Sequence, residues 1–233
     1  LPAAVVLVWQ STRKFRRATW LAAVGLTVFL GVAGLFLSGS KSGWLIALAI
    51  GVFWLCRLKW PRRMKWMVVL ALVAGGLIIF ALRFQTYFAK GATSVGARFD
   101  YWHAAAHVTA EHPAFGSGPG TFQRPYAVLK RPDAEMARLV HNDYLEQFSD
   151  SGLVGGISYA AWIGLLLWTL GRRVWTAGDW LPFAIFTGLL GWFIQGFIEF
   201  SLFVPALAWT AFTLSGCLLS WTANQVDKSR TAV

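Results

Sequence analysis

The side chains able to do chemistry in this sequence gather in a few places. All four histidines lie between residues 103 and 141. His103 and His107, with Asp100 one turn earlier, have the spacing of metal ligands on one helix face. No Glu follows His103, so the zinc-protease pattern is absent. A wet polar face accounts for the same positions, and no metal is assigned to them. In a helical projection of residues 132–150, His141 shares a face with Ala137, Leu145 and Phe148, while Asp143, Glu146 and Asp150 lie opposite. That face directs His141 into protein or membrane. There it reads either as a satisfied core histidine or as an acid–base group, imidazole being the side chain that exchanges protons near neutral pH.

Arg98 has no carboxylate partner within its own predicted helix and faces the apolar side. Its guanidinium fork suits phosphate oxygens; a lipid headgroup or a distant acid would satisfy it as well. Lys41 and Glu199 sit between apolar runs, where charge is costly and therefore informative, and each also suits a turn at headgroup level. Pro113-Ala-Phe-Gly-Ser-Gly-Pro-Gly120 reads as a tight turn between two helices. It lacks the Lys-Ser/Thr of a nucleotide loop, although its N–H groups offer a weak anion nest.

The elements that position these groups follow from composition and periodicity. Of 233 residues, 57% are hydrophobic and 13% charged, about half the charge of a soluble domain. Long apolar stretches flanked by many of the fourteen Trp describe a polytopic membrane protein and exclude a soluble enzyme. Six spans are expected, at 18–37, 43–55, 66–82, 153–170, 181–198 and 202–221. Residues 1–10 read as the tail of an earlier span, so more of the natural protein is expected upstream. Between the third and fourth spans lies the long stretch 83–150, far beyond the ordinary length of a structureless loop, about 12–15 residues, and expected to be functional. Within it, Thr93–Glu111 is an amphipathic helix stopped by His112-Pro113, with Phe99, Trp102 and Ala106 on its apolar side. Residues 132–150 are expected to form a second helix. The chain thus divides into spans at 1–82, a helical loop at 83–150, and spans with a short tail at 151–233.

Cations set the orientation. Arg13, Lys14, Arg16 and Arg17, the run Arg57 to Lys65, Arg172 and Arg173, and the tail residues Lys228 and Arg230 all fall on one side if the spans alternate. Charges on the other side cancel, so the whole net charge of +11 lies on the face that the positive-inside rule assigns to the cytoplasm. The basic balance is a topology signal, and no nucleic-acid partner is implied. Cys56 and Cys217 both lie in apolar runs, which argues against a disulfide framework or a zinc site.

Four motifs in order then resemble the C-terminal half of the O-antigen ligase/polymerase superfamily, integral-membrane glycosyltransferases that use polyprenyl-diphosphate-linked glycans. They are Ser38-Gly-Ser-Lys-Ser-Gly-Trp44, with Lys41 where Arg is usual; Arg98-x-x-x-Trp102 followed by Pro113-x-x-Gly-x-Gly118 and Phe122; His141-Asn-Asp-Tyr-Leu145 followed by Gly152-Leu-Val-Gly155; and Glu199-Phe-Ser-Leu-x-x-Pro205, with Glu for Asp and Gln195 where His often stands.

The resemblance implies an all-α transmembrane helical bundle with a large periplasmic loop, in the bacterial inner membrane. It implies transfer of a glycan from undecaprenyl diphosphate to an acceptor hydroxyl, such as lipid A-core or another glycan, inverting and without metal or other cofactor. His141 becomes the catalytic residue, either as general base or through a hydrogen bond to the diphosphate, with Arg98 a diphosphate ligand and Lys41 a second cationic ligand; Asn142, Tyr144 and Glu199 join the substrate-binding set. Membrane lipids are the other partners. A ligase is favoured over a polymerase or a protein O-oligosaccharyltransferase. The rival from another class is a polysaccharide transporter or flippase, disfavoured because ionisable residues gather at one surface and not at the midplane.

Overall fold

The computed structural model describes residues 1–91 and 93–231, with side chains up to residue 225. Lys228 and Arg230, assigned above to the basic face, lie outside the described side chains. Among the described residues the fold is all helical, without a strand. The elements are α1 (Pro2–Thr12), α2 (Arg17–Ser38), α3 (Lys41–Arg57), α4 (Arg62–Ala89), α5 (Thr93–Glu111), α6 (Gln123–Leu129), α7 (Asp143–Ala177), α8 (Trp180–Gln195), a 3-10 turn (Ser201–Phe203) and α9 (Pro205–Thr231).

Four helices are long and apolar enough to cross a membrane: Arg17–Ser38, Arg62–Ala89, Asp143–Ala177 and Pro205–Gln225. They contain or closely overlap four of the six expected spans. The other two are shorter helices, α3 with 17 residues and α8 with 16. At about 1.5 Å per residue these reach roughly 24–26 Å, short of a hydrocarbon core about 30 Å thick. Helix α3 stops because Leu58 turns extended ahead of Pro61, and α8 ends in the turn that carries Glu199. The expected tail of an earlier span is the short helix α1.

The chain forms two compact units. The first takes Leu1–Thr86, Arg173–Gly191 and the chain from Leu218 onward. Here α1 packs on α2, and the two residues Gly39 and Ser40 join α2 to α3. Gly39 closes α2 in the left-handed conformation, and the Ser40 hydroxyl caps α3 by accepting from Gly43 N at 3.0 Å. Arg57 lies against Phe183, Trp175 and Trp180, its guanidinium 4.3 Å from the Phe183 ring centre. Many of this unit's apolar side chains, Phe29, Leu37 and Leu70 among them, are exposed. Apolar exposure of this extent suits contact with lipid tails or with further helices.

The second unit takes Tyr87–Arg172 and Trp192–Cys217. Its core joins Tyr101, Ala104 and Ala105 of α5 to Phe122, Tyr126, Ala137 and Val140. Helix α5 has the predicted boundaries but buries a different face. Tyr101, Ala104, Ala105 and Val108 point inward, whereas Phe99 is 60% exposed and Ala106 is exposed too.

The expected helix over 132–150 is corrected: residues 132–142 form an irregular strap, and the helix starts at Asp143. A short helix, α6, precedes the strap instead. The glycine-rich segment clamps onto a kink in α7 at Gly152, whose φ of 66° lies in the left-handed region. Ser117 N donates to Ser149 O at 2.9 Å, Gly118 N to Asp150 O at 3.0 Å, and Leu153 N to Pro113 O at 2.7 Å. A Cβ on Gly116 would fall 2.4 Å from Asp150 C, and one on Gly152 would fall 2.6 Å from Ala114. Only glycine lets the two backbones meet this closely. The N–H groups of Ser117, Gly118 and Gly120 are thereby spent on α7 and do not line an anion nest.

Candidate active site

Three elements of the second unit deliver one polar cluster. Helix α5 brings Arg98, the strap brings His141, and the turn after α8 brings Glu199. The Arg98 Nη2 donates to Glu199 Oε1 at 2.6 Å, its Nε to Ile198 O at 3.0 Å, and its Nη1 to Ser94 O at 3.2 Å. The other carboxylate oxygen, Glu199 Oε2, lies 3.6 Å from His141 Nδ1. Glu199 therefore bridges the arginine to the imidazole. All three side chains are about two-thirds or more buried, with relative exposures of 20%, 32% and 31%. Burial alone would push the Glu199 carboxyl up, but His141 and Arg98 together outweigh it and hold the group below the usual carboxylate value.

The imidazole is fixed by its surroundings. The Tyr101 ring lies nearly parallel to it at 5.6 Å, and Phe200 meets it edge-on at 4.7 Å. The His141 backbone has φ 55°, the one non-glycine in the left-handed region among the described residues. Such a conformation costs on the order of 1–3 kcal/mol and persists where neighbours enforce it. Both chain neighbours are enforced. Val140 N donates to Glu146 Oε2, and the buried Asn142 caps α7, its Oδ1 accepting from Tyr144 N and Leu145 N at 3.0 Å each.

The turn carrying Glu199 is held by the start of the same helix. Leu202 N donates to both oxygens of Asp143, at 3.2 and 3.1 Å, and Asp143 N donates to Gly196 O at 2.7 Å. Two turns further on, Asp150 Oδ2 accepts from Gly120 N at 2.7 Å. Thus Asp143, Glu146 and Asp150, buried at 2%, 0% and 4% exposure, each pin a separate loop to α7. The helical projection set these acids opposite the apolar side; they face loop backbone. Their signal in the sequence was the acidic run itself, placed at a helix start where loop N–H groups need acceptors.

The remaining candidates divide. Tyr144 stacks on Phe197 at 4.1 Å and donates its hydroxyl to Phe193 O at 3.1 Å, so both it and Asn142 have structural tasks beside the cluster. Lys41 belongs to the first unit, where its Nζ lies 5.4 Å from the Phe84 ring centre. His107 pairs with Glu111 at 3.2 Å, and among the described residues no three His, Cys, Asp or Glu side chains stand close enough to hold a metal. Tyr101 and Phe200 flank His141 although their sequence positions carried no sign of it.

A family model described as O-Antigen ligase matches residues 26–160, more than half of the chain. The chain is also 26% identical to an uncharacterized protein of Haemophilus influenzae, over 57% of this chain and 39% of that protein. It therefore corresponds to well under two-thirds of that relative's length. By the family match, this chain belongs to the O-antigen ligase family, and it is a multi-pass membrane protein.

Proposed function

We propose that this member of the O-antigen ligase family transfers a glycan from undecaprenyl diphosphate to an acceptor hydroxyl, at the periplasmic face of the bacterial inner membrane. The observation that carries the reading is Glu199 set between Arg98 and His141, with 2.6 Å on one side and 3.6 Å on the other.

Glu199 Oε2, 3.6 Å from Nδ1, favours the tautomer with its proton on Nδ1, and that tautomer leaves Nε2 as the proton acceptor. The acceptor hydroxyl is a weak nucleophile. As its oxygen attacks the anomeric carbon, its proton passes to Nε2, help worth about 10²–10⁴-fold. The bond from that carbon to the diphosphate oxygen breaks, the configuration inverts, and undecaprenyl diphosphate leaves with the electron pair. Glu199 stabilises the imidazolium that forms, as a buried carboxylate does for a catalytic histidine elsewhere.

Arg98 serves two anions. Three of its five N–H groups are engaged within the protein, which leaves two for a diphosphate oxygen. Developing charge on the leaving group is met by a guanidinium already oriented, so little reorganisation is needed as the bond breaks. Lipid A-core is the acceptor in the ligase reading. The glycan profile of a deletion strain tests it: bare core with accumulated carrier-linked polymer supports ligation. Single repeat units on core would instead identify a polymerase, and an unchanged profile would remove the glycan-transfer reading.

A further inference from the structure

The turn between α3 and α4 belongs to the first unit, whereas Arg98, Glu199 and His141 belong to the second. It reads Arg57-Leu-Lys-Trp-Pro-Arg-Arg-Met-Lys65, five cations in nine residues without an acid. Two of the five are spent within the protein. Arg57 lies among Phe183, Trp175 and Trp180 and donates Nη1 to Trp175 O at 3.3 Å, and Lys65 Nζ donates to Cys56 O at 3.1 Å. These contacts tie the turn to the ends of α3 and α7 and to the start of α8. Lys59, Arg62 and Arg63 are exposed, and none of their side chains makes an ion pair or hydrogen bond among the described residues.

Apolar surface continues from these cations along α4. At about 100° per residue, Arg63, Met67, Leu70 and Leu77 share one face, with Trp66 at its edge. Trp66, Met67, Leu70 and Leu77 are all exposed. The other side of the helix turns inward: Val69 is buried, and a Cβ on Gly76 would fall 2.8 Å from Leu48 of α3. Exposed Trp60 and Trp66 flank Arg62 and Arg63, in the position that aromatic residues take at headgroup level. A guanidinium at the head of an exposed apolar stripe fits an amphiphile with an anionic head. A protein helix laid on the stripe would have to bring acids to Arg62, Arg63 and Lys59.

We infer that this turn binds an anionic phospholipid. The phosphodiester oxygens accept from Lys59, Arg62 and Arg63, the two guanidinium groups offering paired donors, and the acyl chains lie along Met67, Leu70 and Leu77. Each cation near an anionic headgroup contributes about fivefold in affinity, so three give roughly a hundredfold preference over a zwitterionic lipid of equal chain length. The site does not depend on the transfer reading, because none of its residues takes part in that chemistry.

Native mass spectrometry of the full chain in detergent, titrated with dioleoyl-phosphatidylglycerol or dioleoyl-phosphatidylcholine, tests the site. Phosphatidylglycerol should bind saturably and roughly a hundredfold more tightly than phosphatidylcholine. Arg63→Gln should weaken it about fivefold, and Lys59→Gln, Arg62→Gln and Arg63→Gln together roughly a hundredfold, with the thermal midpoint in phosphatidylcholine unchanged. Should the triple variant fail to insert, the single one decides. The same loss of charge at Lys14, Arg16 and Arg17 should change the affinity by about twofold or less, since charges in another turn act through screened solvent. Dihexanoyl-phosphatidylglycerol should bind more weakly, having less apolar surface to bury. Equal affinity for the two dioleoyl lipids, or an equal loss in the Lys14, Arg16 and Arg17 variant, would overturn the site. Displacement by inorganic phosphate would overturn it by identifying a free-phosphate site, and absence of any retained lipid would leave the stripe to a protein helix.

Discussion

Glu199 pairs with the Arg98 guanidinium and faces the His141 imidazole with one carboxylate, which makes its ionisation part of the fold. Its pKa lies below the ordinary value of 4.5 in the folded protein. Stabilisation by this group is therefore fully present above pH 4.5 and is lost as pH falls through the lower folded value. Glu199→Gln should lower the thermal midpoint at neutral pH, and the gap to the wild-type protein should close in strongly acidic buffer. A gap independent of pH would mean that the carboxylate charge does not matter. At Arg98, alanine should weaken binding of the lipid diphosphate more than lysine does. A charged hydrogen bond is worth about 1.5–3 kcal/mol, and lysine keeps the charge while losing the fork. Equal affinity of the two variants, read by titration with carrier lipid, would make Arg98 solely a partner of Glu199.

At the scale of elements, the start of α7 organises the site. Its acids fasten the glycine segment, the strap and the turn after α8, so the separation of His141 and Glu199 depends on one helix end. The close approach at the kink gives a sharp prediction. Gly116→Ala and Gly152→Ala should each cost roughly 2–4 kcal/mol, from the left-handed backbone and the overlap with main-chain atoms together. Gly164→Ala, in open space on the same helix, should be near neutral. Thermal unfolding in detergent checks all three, and a tolerated alanine at 152 would contradict the packing described.

These elements also mark where the sequence was informative. The limits of α5 were legible because His112-Pro113 stops a helix by local sterics. Its buried face was not, since apolar side chains beside a bilayer gain nothing by turning inward, and Phe99 stays exposed. The helix expected from Pro132 failed because side chains in α7 compete for the strap's backbone. Glu146 takes Val140 N, and Asn142 takes the first N–H groups of the true helix. Arg98, His141 and Glu199 were named as separate motifs; only folding shows them as one bridged cluster.

For the whole molecule, membrane orientation decides whether this chemistry meets its substrate. The proposed reaction requires the loops that carry the net positive charge to be cytoplasmic and the Arg98–Glu199–His141 cluster to be periplasmic. With Cys56 and Cys217 replaced by serine, a membrane-impermeant maleimide applied to intact spheroplasts should label Asp133→Cys and spare Lys59→Cys. The reverse pattern would place the site away from periplasmic acceptors.

The most direct measurement is single-turnover transfer by the full chain in nanodiscs, from a labelled undecaprenyl-diphosphate-linked glycan to purified lipid A-core. The wild-type protein should transfer. His141→Ala should fall by about 10²–10⁴-fold while its insertion and its binding of carrier lipid persist. Wild-type rates in that variant would contradict the role given to the imidazole, and with it the mechanism.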